Sequence, residues 1–176
     1  MKIMVFDDNA THRATAINQL KEHELTVVGT YAEAQRALTG HNNFDVVLTD
    51  LLVPANSFDE EELPLGTIIA LLALKVGVKM VAVVTDANHH SNDASAALDV
   101  FRQETFVIGD AKMVCANYNV CADFDMETFR KVDFSFLQSP AGKEKYPCEM
   151  EENGCIGRKG IVTAKDWAKV LHSLIN

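Results

Sequence analysis

Residues 4–13 read MVFDDNATHR. An apolar run stops at two adjacent carboxylates, Asp7 and Asp8, and a polar pattern with helical spacing begins straight after them. Lys2 to Phe6 is short and apolar throughout, which suits a central strand buried on both faces. Neighbouring carboxylates repel and lose hydration when crowded, so a pair at a strand end either faces water or shares a cation. Asp8 or Asn9 can also serve as the cap of the helix that follows.

The pattern repeats outward from that stretch. Ala14, Ile17 and Leu20 continue a helix to about His23, LTVVGT (25–30) predicts a second strand, and 31–38 a short helix stopped at Gly40. FDVVLT (44–49) predicts a third strand, which ends on Asp50. A polar, acidic loop, LLVPANSFDEEELP, leads to an apolar helix over 65–76, and KMVAVV (79–84) predicts a fourth strand ending at Thr85 and Asp86. A helix over 93–102 precedes a fifth strand somewhere in TFVIGDAKMVCAN (105–117), and the chain closes on an amphipathic helix over 164–174. Thr163 is its expected N-cap, and Trp167, Val170, Leu171 and Leu174 its core stripe.

Strands alternating with helices imply right-handed crossovers and helices on both faces of a parallel sheet. The fold class is therefore α/β: a doubly wound five-stranded parallel sheet in the order 2-1-3-4-5. Residues 1–176 are read as one domain, with an inserted region at about 117–160 before the C-terminal helix. A structureless stretch that long is unusual, so the insertion should carry elements of its own, with Phe124, Phe129, Phe134 and Phe136 as its core.

Composition narrows the function. The 16 basic and 25 acidic residues give −9, which argues against attachment to phosphate backbones or anionic membranes, and no basic patch opposes that. No segment approaches the ~20 apolar residues of a membrane span, so cytoplasmic residence is expected. Cys115, Cys121, Cys148 and Cys155 are separated by five, 26 and six residues, unlike zinc knuckles, and are read as mostly free thiols; their clustering keeps a metal alternative open. His89 and His90 offer a second, weaker metal pair.

Ligands of open parallel sheets bind at the carboxyl ends of the strands, where Asp7, Asp8, Asp50 and Thr85 all fall. Converging carboxylates raise one another's pKa unless a hard divalent ion relieves them. With DDNATHR, TDLLVP (Pro54 four residues after Asp50) and VVTD in this order, the chain resembles a response-regulator receiver domain of two-component signalling, with a flavodoxin-like fold. The resemblance covers about residues 1–112 and the last helix. It implies a phosphoprotein switch of a phosphorelay, not an enzyme: Asp50 as phosphoacceptor, Thr85 as switch hydroxyl, and Mg2+ on Asp7, Asp8, Asp50 and the backbone carbonyl of Leu52. The implied partners are a histidine kinase or phosphotransfer protein and an effector protein, with no DNA-binding output domain.

The chain also departs from that pattern. The family's fifth strand ends on a lysine, usually before proline; Lys112 is the nearest, followed by Met113, and a strand taken as KMVCAN puts Asn117 there instead. Asp86 follows Thr85 where a small residue is usual. No G-x-G-x-x-G or G-x-x-x-x-G-K-[ST] cradle is present, and Leu52 stands where a haloacid-dehalogenase-type phosphatase needs a second Asp. Two readings follow: an atypical stand-alone receiver phosphorylated on Asp50, or a non-phosphorylated pseudo-receiver that acts as a protein-interaction module.

Overall fold

The computed structural model describes residues 1–40, 43–55, 62–87, 90, 92–151 and 154–176. Among them the elements run β1 (Lys2–Phe6), α1 (Ala10–Gln19), β2 (Glu24–Val28), α2 (Tyr31–Thr39), β3 (Val46–Asp50), β4 (Val53–Pro54), β5 (Glu62–Leu63), α3 (Leu65–Lys75), β6 (Met80–Val84), α4 (Asp93–Ala97), β7 (Thr105–Ile108), β8 (Ala111–Ala116), β9 (Cys121–Asp125), α5 (Phe134–Gln138), α6 (Pro140–Lys145), β10 (Cys148–Glu151), β11 (Gly154–Arg158), β12 (Ile161–Lys165) and α7 (Trp167–Ile175). They form two compact units, Met1–Val120 with Lys165–Asn176, and Cys121–Ala164.

The larger unit is built on a mainly parallel sheet in the order β2-β1-β3-β6-β8-β7. Every neighbouring pair is parallel except β7–β8. The sheet thus has six strands where five were expected. The region read as one uncertain strand is a hairpin, turned at Gly109 and Asp110 between Ile108 and Ala111, with Gly109 at φ +64. A glycine in the left-handed region closes such a two-residue turn without a Cβ clash.

Period-2 alternation assigns each strand residue to a face. Met4, Phe6, Val47, Val81, Val83, Met113 and Cys115 join one buried cluster with Ala34 and Leu38 of α2 and Ile69, Ala70 and Ala73 of α3. Ile3, Val5, Val46, Leu48, Ala82, Val84, Val114 and Ala116 join the other with Ala16 of α1 and Trp167, Val170, Leu171 and Leu174 of α7. Both sheet faces are covered, which is why the strands read as unbroken apolar runs. The expected helix over 93–102 is only one α-turn and a 3-10 segment, and α7 starts at Trp167 with Asp166 as its cap, accepting from Lys169 N at 3.1 Å. Thr163 is not the cap, because residues 161–165 run as a strand.

The smaller unit pairs β9 with β12 and β10 with β11. Its organising residue is Asp125, a buried carboxylate that accepts from Glu127 N (3.0 Å), Thr128 N (2.8 Å), Thr128 Oγ1 (3.0 Å) and the Tyr146 hydroxyl. These donors hold its pKa far below the usual carboxylate range, the tyrosine most of all. Phe124, Leu137 and Tyr146 are buried, whereas Phe134 and Phe136 lie exposed, against the expectation that all four phenylalanines line a core. Cys148 is disulfide-bonded, which corrects its reading as a free thiol. Cys115 is buried inside the sheet, and burial pushes its thiol up to about 11.

Candidate functional site

Three strands end at the site. β1 runs into Asp7, β3 finishes on Asp50, and β6 is followed by Thr85 and Asp86. These strands are adjacent in the sheet, so their carboxyl ends converge. The alternation that turns Val46, Leu48, Ala82 and Val84 toward α1 and α7 carries Asp50, and two residues past β6 Asp86, toward the same side. Asp7 and Asp50 are buried at 0% and 4% exposure, and ligand oxygens of Asp7, Asp8 and Asp50 lie within 4.8 Å of one another.

The local chain explains why the acidic pair holds its shape. Arg13, one turn into α1, donates through Nη1 to the carbonyls of both Asp7 (2.8 Å) and Asp8 (2.6 Å). Asp7 Oδ1 accepts from Asn9 N at 2.9 Å, while Asn9 caps α1 by accepting from Thr11 N. The capping role considered for Asp8 or Asn9 belongs to Asn9. On the far side α3 approaches so closely that a Cβ on Gly66 would stand 1.7 Å from the Asp50 carbonyl oxygen.

The cation at this cluster is Lys165, the last residue of β12, with no exposed side-chain surface. Its Nζ lies 2.7 Å from Asp50 Oδ2, 2.8 Å from Asp7 Oδ2 and 3.6 Å from Asp86 Oδ1. Burial by itself would lower the Lys165 pKa, but the charges of Asp50, Asp7 and Asp86 outweigh it and hold the ammonium on. One buried cation does not balance the surrounding acids. Burial pushes Asp50 well above the ordinary carboxylate range against the pull of Lys165, and Asp7 adds to the rise. Asp8 and Glu62 are raised for the same two reasons, lost hydration and neighbouring acids.

Lys112 does not come to this end of the sheet. It pairs with Met80 at the start of β6, four positions before Val84, the partner of Asp50, and its Nζ donates to Ile175 O at 3.3 Å. Four positions of strand amount to about 13 Å. The alternative strand end, Asn117, is buried in a separate network: it donates to Asp99 Oδ1 at 2.8 Å and accepts from Gln103 Nε2 at 3.0 Å. Thr85 is fully buried, and its hydroxyl accepts from Ala87 N at 3.1 Å. Leu52 lines the cleft described below. His89 and most of the loop over 57–63 lie outside the described residues.

Lys165 escaped the sequence reading because residues 164–174 have helical apolar spacing, which placed it in a first helical turn. One signal was there to be read: a lysine in the first turn opposes the helix dipole, whereas a lysine ending a strand before an Asp cap does not. His12 was missed as well. It is buried on α1, with Nε2 3.1 Å from Asp86 Oδ2 and its backbone oxygen accepting from Trp167 Nε1 at 3.0 Å.

A cleft of about 240 Å³ opens over these groups, lined by Asp8, Asn9, His12, Asp50, Leu52, Glu62, Asp86 and Ala87. Among the described residues, Asp50 Oδ1 is buried there without a hydrogen-bond partner. An orphaned carboxylate oxygen beside two further acids, all hard oxygen donors, fits a divalent cation such as Mg2+. Asp7, Asp8 and Asp50 are the carboxylates that could hold it, Asp7 while also accepting from Asn9 N and Lys165 Nζ, and Leu52 lines the cleft beside them.

Fold and site together define a class: a mainly parallel α/β protein with an acidic pocket and one buried lysine at the carboxyl ends of its strands. The chain matches no family model and no curated protein. Among solved structures it is similar to the N-terminal domain of a response regulator/sensory box/GGDEF three-domain protein from Carboxydothermus hydrogenoformans, at 16% identity over 66% of this chain and 80% of that one, with a TM-score of 0.44. It is similar at the same identity and score to a fusion chain that carries yeast Spc42 coiled-coil residues 181–211 joined to another protein, over 65% of this chain and 67% of that one. At those scores neither likeness carries an argument about function. No helix among the described residues is long and apolar enough to cross a membrane.

Proposed function

We propose that this chain is an atypical receiver-like switch that accepts a phosphoryl group on Asp50 with the help of Mg2+. The observation that carries the reading is Lys165 Nζ at 2.7 Å from Asp50 Oδ2, beside an Asp50 Oδ1 that has no partner among the described residues. A carboxylate held by a fixed ammonium on one oxygen, with the other left over, is arranged to act as a nucleophile while its neighbour's charge is contained.

In the transfer, Asp50 Oδ1 attacks the phosphorus of a phosphohistidine or small phosphodonor. The bond from phosphorus to the donor nitrogen or oxygen breaks, the donor leaves with that electron pair, and an aspartyl phosphate remains. Asp7, Asp8, Asp50 and the Leu52 carbonyl would hold Mg2+, which would neutralise charge on the transferring group. Lys165 stays beside Asp50 and meets the new phosphoryl oxygens, and the Thr85 hydroxyl repositions toward them. The donor is a histidine kinase or phosphotransfer protein and the readout an effector protein, so the chain is a signalling partner that is modified, not a turnover catalyst.

A second reading is favoured by Asp86, whose carboxylate already faces Lys165 from inside the cleft. On that reading the chain is a non-phosphorylated interaction module. Intact mass after incubation with Mg2+ and acetyl phosphate or phosphoramidate separates the two. One added phosphoryl group, lost in Asp50→Asn, is the expected result; no adduct and no Mg2+ binding by titration would remove the first reading.

A further inference from the structure

Asp86 stands in the cleft as an acid where an incoming phosphoryl group is itself strongly negative. Its two oxygens are both engaged. Oδ1 lies 3.6 Å from Lys165 Nζ, and Oδ2 lies 3.1 Å from His12 Nε2. His12 is in turn fixed: it is buried at 4% exposure on α1, and its backbone oxygen accepts from the buried Trp167 indole and from Thr15 Oγ1 at 2.8 Å. Asp86 keeps 47% of its side chain exposed, so it is held at its oxygens while the rest of the group borders open solvent.

We propose that Asp86 is a built-in competitor for the anion position of this pocket: its carboxylate, held in place by His12, occupies the ground between Lys165 and the cleft that a phosphoryl group on Asp50 needs. The inference rests on the phosphoacceptor reading of Asp50 and adds its regulation. The resting pocket is closed to anions by its own side chain, and uptake of a phosphoryl group requires Asp86 to leave His12 and turn outward. Among the described residues, the solvent side leaves room for that movement, because the group is half exposed there. The hydrogen bond from His12, the larger influence, together with the Lys165 charge, keeps Asp86 ionised far below the usual carboxylate range, so the competing charge is present at every physiological pH. Lys165 is already shared by Asp7 and Asp50, so a phosphoryl group arriving beside Asp86 meets a repulsion that is large at contact distance even with partial screening.

Three proteins test this at neutral pH: wild type, Asp86→Ala, and Asp86→Asn, which keeps a hydrogen-bonding side chain without the charge. With Mg2+ and acetyl phosphate, both variants should take up the phosphoryl group at least about tenfold faster than wild type, as expected from removing one like charge near the site. A second measurement does not need transfer. In an Asp50→Asn background, inorganic phosphate should bind at least about tenfold tighter by calorimetry once Asp86 is replaced by Ala. Unchanged uptake in folded variants, or unchanged phosphate affinity, overturns the competitor role. If no protein is phosphorylated, the phosphoacceptor reading fails and the phosphate titration alone decides the role of Asp86.

Discussion

Lys165 and Asp50 show how few residues hold this site together. A buried ammonium between two carboxylates is stabilising only while all three are present, since each charge has lost its water. Lys165→Met should therefore cost about 3–5 kcal/mol, the usual penalty for leaving buried charge uncompensated, read by urea unfolding at pH 7. The direction with pH follows from the shifts. The Lys165 pKa is raised on folding, so its contribution is fully present below the ordinary lysine pKa of about 10.4 and is lost only as pH rises through the higher folded value. In the variant, Asp50 and Asp7 face each other without a counter-charge, and Asp50 already ionises late. Its deficit should shrink as pH falls from 7 and Asp50 takes up a proton; a deficit that stays constant down to pH 4 would show that charge is not its source. The acids of this site were legible residue by residue because strand ends declare themselves where apolar runs stop. The lysine was harder to place, because the helical apolar spacing over 164–174 puts Lys165 in a helix's first turn, and only its opposition to the helix dipole points elsewhere.

Elements place those residues, and α3 does so by close approach. Gly66 is the second residue of α3, is buried, and donates its N–H to Leu51 O at 3.0 Å. Helix propensity alone would make Gly66→Ala stabilising by about 1 kcal/mol. The Cβ it adds would fall 1.7 Å from a backbone oxygen of Asp50, which cannot rotate away, so α3 or the end of β3 must move. Overpacking of this kind typically costs about 1–3 kcal/mol, and sterics should win over propensity. A lowered melting temperature is the expected result, and a rise in melting temperature would mean that α3 yields without disturbing Asp50. The apolar segment 65–76 announced the helix, but the contact with Asp50 belongs to tertiary structure. The β7–β8 hairpin is the reverse case: its Gly109-Asp110 turn stood in the sequence between two apolar runs, and reading the region as a single strand passed over it.

At the scale of the molecule, the chain leaves the larger unit at Val120 and returns at Lys165. The two points are joined within that unit, with Asp166 N donating to Val120 O at 2.8 Å and Lys169 Nζ to Asn119 O at 3.2 Å. Replacing residues 121–164 by about four Gly/Ser residues, a flexible span long enough for so short a gap, should leave a cooperatively folding sheet with the same response to Mg2+ as the full chain. Circular dichroism melts and titration would check it, and loss of the cooperative transition would show that the larger unit depends on the smaller. An insertion was expected at about 117–160, from the failure of the strand-helix rhythm there; the units divide at 121 and 164.

From the sequence alone, the alternation of apolar runs with helical stripes determined an α/β chain with carboxylates at its strand ends, because burial on two faces and the stop of each run are local properties. Tertiary structure decided which cation meets those carboxylates, since Lys165 lies 115 residues from Asp50 and only the folded chain brings their charges to 2.7 Å. It also decided that His12 and Asp86, 74 residues apart, share a hydrogen bond over the same cleft. Spacing records periodicity along a chain, whereas charge pairing acts through space at distances that no single element spans.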